Sequence, residues 1–252
     1  MNALLTPLAA GATLELLFPF NTDAVWNRLA EPFLPNPSKT PITFFTAVPT
    51  VYTRLQSSFP ELKPEIQAAA RKAVSPQHMR VAISGSAALP TPTKQAWKEL
   101  SDGTVLLERY GMTEIGMALS CGLDFADRVD GSVGWPLPGV EVRLVDTETG
   151  AVVRDDIGEG EIQIRGATVF SEYFRNPDAT KSEFVDGEDG KGKWFKTGDV
   201  AERKHVDTAG KSGQEWAKGP MYFIHGRKSA DIIKTGGEKV SALEVEREML
   251  SL

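Results

Sequence analysis

Apolar residues along the first part of the chain fall into two rhythms, spaced three and four apart or gathered in short unbroken runs. The alternation predicts helices laid against buried strands. Asn21, Thr22 and Asp23 can cap a helix reaching Phe33, with Val25, Trp26, Leu29 and Leu34 on roughly one face. Pro35, Pro37 and Pro41 separate it from an apolar strand at 42–48, and Pro49 stands in the first turn of a helix through Tyr52 and Leu55, where proline is tolerated. A helix at 61–74, a strand at 80–84, a small-residue turn at 85–88 and a helix at 91–100 continue the pattern. The β-prone run 104–107 then leads into a glycine turn at Gly111, and the strand and loop are predicted to repeat through 120. The predicted class is α/β, with a mostly parallel sheet and helices.

After Gly131 the helical rhythm fades. Residues 140–145 and 160–165 alternate apolar and polar side chains at period two, as half-exposed antiparallel strands do. Asn176, Pro177 and Asp178 start a short helix. Trp194-Phe195 and residues 221–225 read as further strands, and 206–219 as a polar surface loop. Residues 241–252 form a capped amphipathic helix with Leu243, Val245, Met249 and Leu250 apolar. This predicts an α/β subdomain at 1–130, a β-rich subdomain at 131–228, and a third segment at 229–252.

Composition narrows the function. The 252 residues are 41% hydrophobic, enough for a sizeable core, and carry 28 Lys plus Arg against 34 Asp plus Glu. The resulting charge of −6 argues against nucleic acid or an anionic membrane as the main partner. Cys121 is the single cysteine, and His78, His205 and His225 are scattered, so no zinc spacing exists. The apolar stretch 1–20 is interrupted by Pro7, Gly11, Glu15 and Pro19 and lacks the basic start of a secretory signal. No membrane span or targeting segment is read, which leaves the cytoplasm and the mitochondrial matrix open. Apolar residues at both ends suggest a chain cut from something longer.

Small, hydroxyl and charged residues gather at strand ends in four places: 84–89, 109–114, 196–199 and 226–239. A Ser84-Gly85-Ser86-Ala87 turn lets backbone amides approach a flat ring, or is simply a tight β–α turn. Thr197-Gly198-Asp199 puts a carboxylate after a glycine that would expose it to two ribose hydroxyls, and Gly226-Arg227 offers a forked donor to the same sugar or to a phosphate. Tyr110 offers a flat face for a base, Thr113 a hydroxyl for a phosphate, and Glu114 a carboxylate for a metal ion. The glycine spacing of a triphosphate loop is absent around Lys211 and Lys234, and neither a dinucleotide fingerprint nor a hydrolase elbow occurs.

Taken in order, Ser84-Gly85-Ser86-Ala87-Ala88-Leu89-Pro90, Glu108-Arg109-Tyr110-Gly111-Met112-Thr113-Glu114, Gly131 to Gly139, Trp194 to Asp199, and Gly226-Arg227 with Asp231 to Gly237 resemble the adenylate-forming superfamily. That family contains acyl-CoA synthetases, luciferases and peptide-synthetase adenylation domains. Within it the wording is most similar to malonyl-CoA or methylmalonyl-CoA synthetases. The resemblance implies part of a large N-terminal domain and the start of a small C-terminal one.

It also implies an enzyme that joins a carboxylate to AMP with ATP and Mg²⁺ and lets CoA displace the AMP. Gly85, Ser86, Ala87 and the Tyr110 ring would then hold adenine, with Gly111 and Met112 in the same motif. Thr113 would meet the α-phosphate, Glu114 the Mg²⁺, and Asp199 and Arg227 the ribose. Ser229 matches the interdomain hinge, and Lys234, Gly236 and Gly237 match the loop of the CoA step.

For the acid, Arg80, Ala82 and Ser84 share one strand face and would line its pocket. A dicarboxylate needs a cation for its second carboxylate, and Arg109 is the first choice, Arg80 the second. Arg80 can equally be a strand-edge charge. A fatty acid of other chain length, or a nucleotide-binding remnant without catalysis, are the alternatives. The phosphate-gripping Ser/Thr/Gly loop and the C-terminal lysine of this family have no match here, so the 252 residues alone are expected to adenylate poorly.

Overall fold

Prolines and capping residues place the helices of the first unit, which runs from Met1 to Glu108. The computed structural model describes residues 2–235 and 238–250. After α1 (Asn2–Ala9), Asn21 caps α2 (Thr22–Ala30), its side chain accepting from the Ala24 amide. Pro49 opens α3 (Pro49–Ser58) and Pro64 opens α4 (Pro64–Val74), as their preset φ and missing N–H favour. α5 (Thr91–Leu100) follows the predicted span.

β1 (Phe44–Ala47) and β2 (Val81–Ser84) pair in parallel, and β2 pairs in parallel with the first residues of β3 (Leu107–Met112). β1 is shorter than predicted because Val48 already serves as the N-cap of α3. All four residues of β2 are buried, as expected of a parallel strand. Trp26, Tyr52, Leu55 and Trp97 form the centre of the core, with the Trp26 indole N–H donating to the Leu55 carbonyl at 3.0 Å. The Tyr52 hydroxyl donates to the Ile83 carbonyl at 2.8 Å, so the end of β2 is pinned next to Ser84. Residues 2–9, read as an interrupted apolar stretch, form a helix with Leu4, Leu5 and Leu8 exposed.

The second unit starts at Arg109. Here residues 109–112 of β3 pair antiparallel with β4 (Gly116–Ser120), and the chain reverses through Thr113, Glu114 and Ile115. This corrects two expectations. Segment 104–120 ends in a β-hairpin instead of another strand and loop of the parallel layer, and Gly111 lies within the strand, not in the turn. The pairing shifts register between Tyr110 and Gly111, and a Cβ on Gly111 would sit 2.1 Å from the Gly116 carbonyl oxygen. Glycine is needed for close approach of two backbones beside a bulge.

The sheet continues through β5 (Ser132–Pro136), then β10 (Met221–Arg227), β9 (Lys193–Lys204), β7 (Gly158–Gly166) and β6 (Val140–Val145), all pairs antiparallel. α6 (Pro177–Glu183), capped by Asn176, leads into β8 (Phe184–Asp186), which pairs with β9. A separate hairpin of β11 (Ile232–Thr235) and β12 (Glu238–Ser241) precedes α7 (Ala242–Leu250), where the Ser241 hydroxyl caps the Glu244 amide.

Leu119, Leu144, Ile162, Ile164 and Phe195 make the core of this unit. Segment 206–219 is more than a surface loop. The fully buried Asp127 carboxylate accepts from the Gly210 amide at 2.8 Å and from the Ser212 hydroxyl, and Ala217 is fully buried. No helix among the described residues is long and apolar enough to cross a membrane.

Candidate functional site

Antiparallel register brings Asp199 on β9 opposite Arg227 on β10, after a bulge between Ile224 and Gly226. Arg227 Nε lies 3.4 Å from Asp199 Oδ1, and the Tyr110 hydroxyl donates to Oδ2 at 2.6 Å. The Asp199 amide donates to the Thr197 hydroxyl oxygen at 3.1 Å, and that hydroxyl donates to the Ile162 carbonyl at 2.8 Å. Two residues from two other strands, Tyr110 on β3 and Arg227 on β10, thus converge on one carboxylate whose backbone is itself held.

Asp199 is only 7% exposed, so the preceding glycine does not leave it open to solvent as the sequence suggests. The tertiary fold covers it with Tyr110. Burial raises its pKa above the ordinary carboxylate range, while the Tyr110 hydrogen bond and the Arg227 charge oppose that shift. Tyr110 is raised as well, first by burial and then by the Asp199 charge.

Glu114 stands half-buried in the β3–β4 turn, between the exposed Thr113 and the fully buried Ile115. The Tyr173 hydroxyl donates to its Oε1 at 3.2 Å, and its carbonyl accepts from the Phe170 amide at 2.7 Å. Tyr173 is absent from the sequence-based candidates, since nothing local in an exposed-looking aromatic before Asn176-Pro177 points across 59 residues to a glutamate. Gly111 and Met112 are half-buried beside Tyr110 on the same strand.

Arg109 is half-buried, and burial lowers its pKa. Its Nε donates to the Ser120 hydroxyl oxygen at 3.3 Å, and no carboxylate among the described residues pairs with it. The neighbouring Glu108, in the first unit, is committed to Lys94 Nζ at 2.8 Å.

Within the first unit, Arg80 precedes β2 and is exposed, so the strand face expected to hold it holds only Ala82 and Ser84. The Ser84 hydroxyl is buried without a hydrogen-bond partner among the described residues. Gly85 is half-buried, Ser86 and Ala87 are exposed, and Ser86 adopts a left-handed φ of 68°, sparsely populated by residues other than glycine. Ser229 occupies an exposed turn after β10, where the Asp231 carboxylate accepts from the Arg227 amide at 2.8 Å. Gly236, Gly237 and the side chain of Lys234 lie outside the described residues.

Comparison with known proteins places the chain among CoA ligases. A protein from Gibberella moniliformis named CoA ligase is 55% identical, over all of this chain and 46% of its own length. The mitochondrial malonate–CoA ligase of Homo sapiens is 45% identical, over all of this chain and 42% of its own. The crystal structure of ATP-bound MatB from Rhodopseudomonas palustris superposes with a TM-score of 0.72 at 34% identity, covering 98% of this chain and 41% of that one. The chain therefore spans less than half the length of the relatives it matches. The family model described as AMP-binding enzyme matches residues 1–174. With the Tyr110 to Glu114 motif inside that match, the chain belongs to the family of AMP-binding enzymes.

Proposed function

We propose that this chain carries the nucleotide-facing and acid-facing residues of an AMP-forming acid–CoA ligase whose acid is malonate or methylmalonate. In that reaction the carboxylate attacks the α-phosphate of ATP, pyrophosphate leaves, and the CoA thiol then displaces AMP. Asp199, held ionised by Tyr110 and Arg227, accepts the two ribose hydroxyls, and the Tyr110 ring lies under adenine. Thr113, exposed on the turn beside Glu114, donates to the α-phosphate.

Mg²⁺ is usually held by one or two carboxylates, with substrate phosphates and water completing its octahedron. Glu114 fits that mode, because its Oε2 has no hydrogen bond among the described residues. When bound, the ion neutralises phosphate charge. The CoA step draws on Lys234, Gly236 and Gly237, with Ser229 as the hinge. The mitochondrial name of the human relative supports a mitochondrial location over a cytoplasmic one.

The observation that carries the substrate assignment is Arg109, a half-buried guanidinium without a carboxylate among the described residues. A buried charge without a partner costs several kcal/mol, so the position favours a ligand that supplies one. Malonate presents a second carboxylate after the reacting one, whereas a fatty acid presents only methylenes. The test is calorimetric titration of malonate and of octanoate in the presence of AMP, on the native chain and on Arg109→Leu. Malonate is expected to bind the native protein more tightly and to lose at least tenfold with Arg109→Leu, from about 1.5–3 kcal/mol for a hydrogen bond to a charged group. Tighter octanoate binding by the native chain rejects the assignment.

A further inference from the structure

Tyr173 lies 59 residues from Glu114 in sequence, yet its environment is built from several independent contacts. Its amide donates to the Thr180 hydroxyl oxygen at 2.9 Å, and that hydroxyl donates to the Asn176 carbonyl at 2.9 Å inside the cap of α6. Its ring meets Phe170 edge to face, with centroids 4.7 Å apart. Phe170 is in turn tied to Glu114 through the 2.7 Å amide-to-carbonyl bond and packs on Phe184 and Phe195. The backbone and ring of Tyr173 are both fixed, and what they deliver is a hydroxyl at Glu114 Oε1. Its neighbour Phe174 is 85% exposed, so this segment does not bury its aromatics as a rule.

We propose that Tyr173 is a positioning residue that holds the Glu114 carboxylate in one rotamer, with Oε1 engaged and Oε2 presented to a bound metal ion. The inference rests on the reading of Glu114 as the carboxylate for Mg²⁺. A glutamate on a hairpin turn has three rotatable side-chain bonds, and ordering it when the ion arrives would cost side-chain entropy. The tyrosine fixes it beforehand, as an outer hydrogen-bond partner does for a metal ligand. Tyr173 itself touches neither nucleotide nor ion.

The experiment is calorimetric titration of ATP into the 252-residue chain, once in EDTA and once in excess Mg²⁺. The readout is the ratio of the two affinities. Tyr173→Phe removes only the hydroxyl, Glu114→Gln tests the ligand itself, and Thr180→Val loosens the backbone of Tyr173 while keeping its hydroxyl. Tyr173→Phe is expected to reduce the Mg²⁺ enhancement roughly threefold to tenfold, the range of one net hydrogen bond, and to leave the affinity in EDTA unchanged. Thr180→Val should move the ratio the same way by less, and Glu114→Gln should abolish the enhancement. An enhancement kept by Tyr173→Phe but lost by Glu114→Gln overturns the role of Tyr173 and leaves the metal assignment standing. An enhancement kept by Glu114→Gln, or absent from the native chain, overturns the assignment of Glu114 and the role of Tyr173 with it.

Discussion

Replacing Tyr110 by Phe isolates one hydrogen bond at the centre of the site. The ring stays, and with it the surface proposed for adenine, but Asp199 loses the donor at 2.6 Å. Its remaining charge partner is Arg227 Nε at 3.4 Å, on a side chain 61% exposed and therefore well screened by water. The native carboxyl already lies above the ordinary range because it is buried. A hydrogen bond to a charged group contributes about 1.5–3 kcal/mol, so the loss disfavours the ionised form of Asp199 by that order and raises its pKa further. Removing a donor favours the neutral form, which fixes the direction as upward.

Adenosine is the ligand for the assay, since it has a ribose and no phosphate to titrate. Its calorimetric affinity, measured from pH 5 to pH 8.5, should fall on the acid side as Asp199 becomes protonated, and in Tyr110→Phe the fall should begin at a higher pH. Asp199→Asn should bind weakly at every pH. Superimposable profiles for native and Tyr110→Phe, or a shift towards acid, refute the idea that Tyr110 keeps Asp199 ionised.

Asp199→Asn should also raise stability. A carboxyl whose folded pKa exceeds its unfolded one loses stability as pH rises from the unfolded value through the folded one. The ionised native form therefore carries a cost at neutral pH that the amide lacks, read as a higher denaturant midpoint for Asp199→Asn at pH 7 and little difference at pH 3. Lys94→Met should lower stability by about 3–5 kcal/mol by breaking the buried 2.8 Å ion pair with Glu108, and Lys94→Met with Glu108→Leu should recover most of that. Gly111→Ala should lower the thermal midpoint, since its Cβ would meet the Gly116 carbonyl oxygen at 2.1 Å and the hairpin must shift, at about 1–3 kcal/mol. Asp127→Ala should leave the Gly210 amide and the Ser212 hydroxyl without their acceptor and cost about 1–3 kcal/mol, with limited proteolysis accelerating within 206–219.

The amino-acid sequence by itself determined the helices and most of the strands. Asn21, Pro49 and Ser241 act within a turn of their own position, and the alternation in 140–145 is a property of neighbours two apart. The order of small-residue motifs also marked Tyr110, Glu114, Asp199 and Arg227 as chemistry-bearing, because glycine and hydroxyl clusters at strand ends are local features.

Only the tertiary structure decided how those residues meet. Tyr110 reaches Asp199 across 89 residues and Tyr173 reaches Glu114 across 59. The first meeting is built on places where strand pairing departs from regular register: Tyr110 sits at the shift before Gly111, and Asp199 pairs with Arg227 after the bulge between Ile224 and Gly226. A register shift of one residue turns side chains to the other face of a sheet, and no period of two or 3.6 in a single strand records where its partner will bulge. Burial of Asp199, the position of Gly111 inside β3 and the docking of Tyr173 on Glu114 were therefore not legible in the chain, because each depends on which strand lies alongside and in what register.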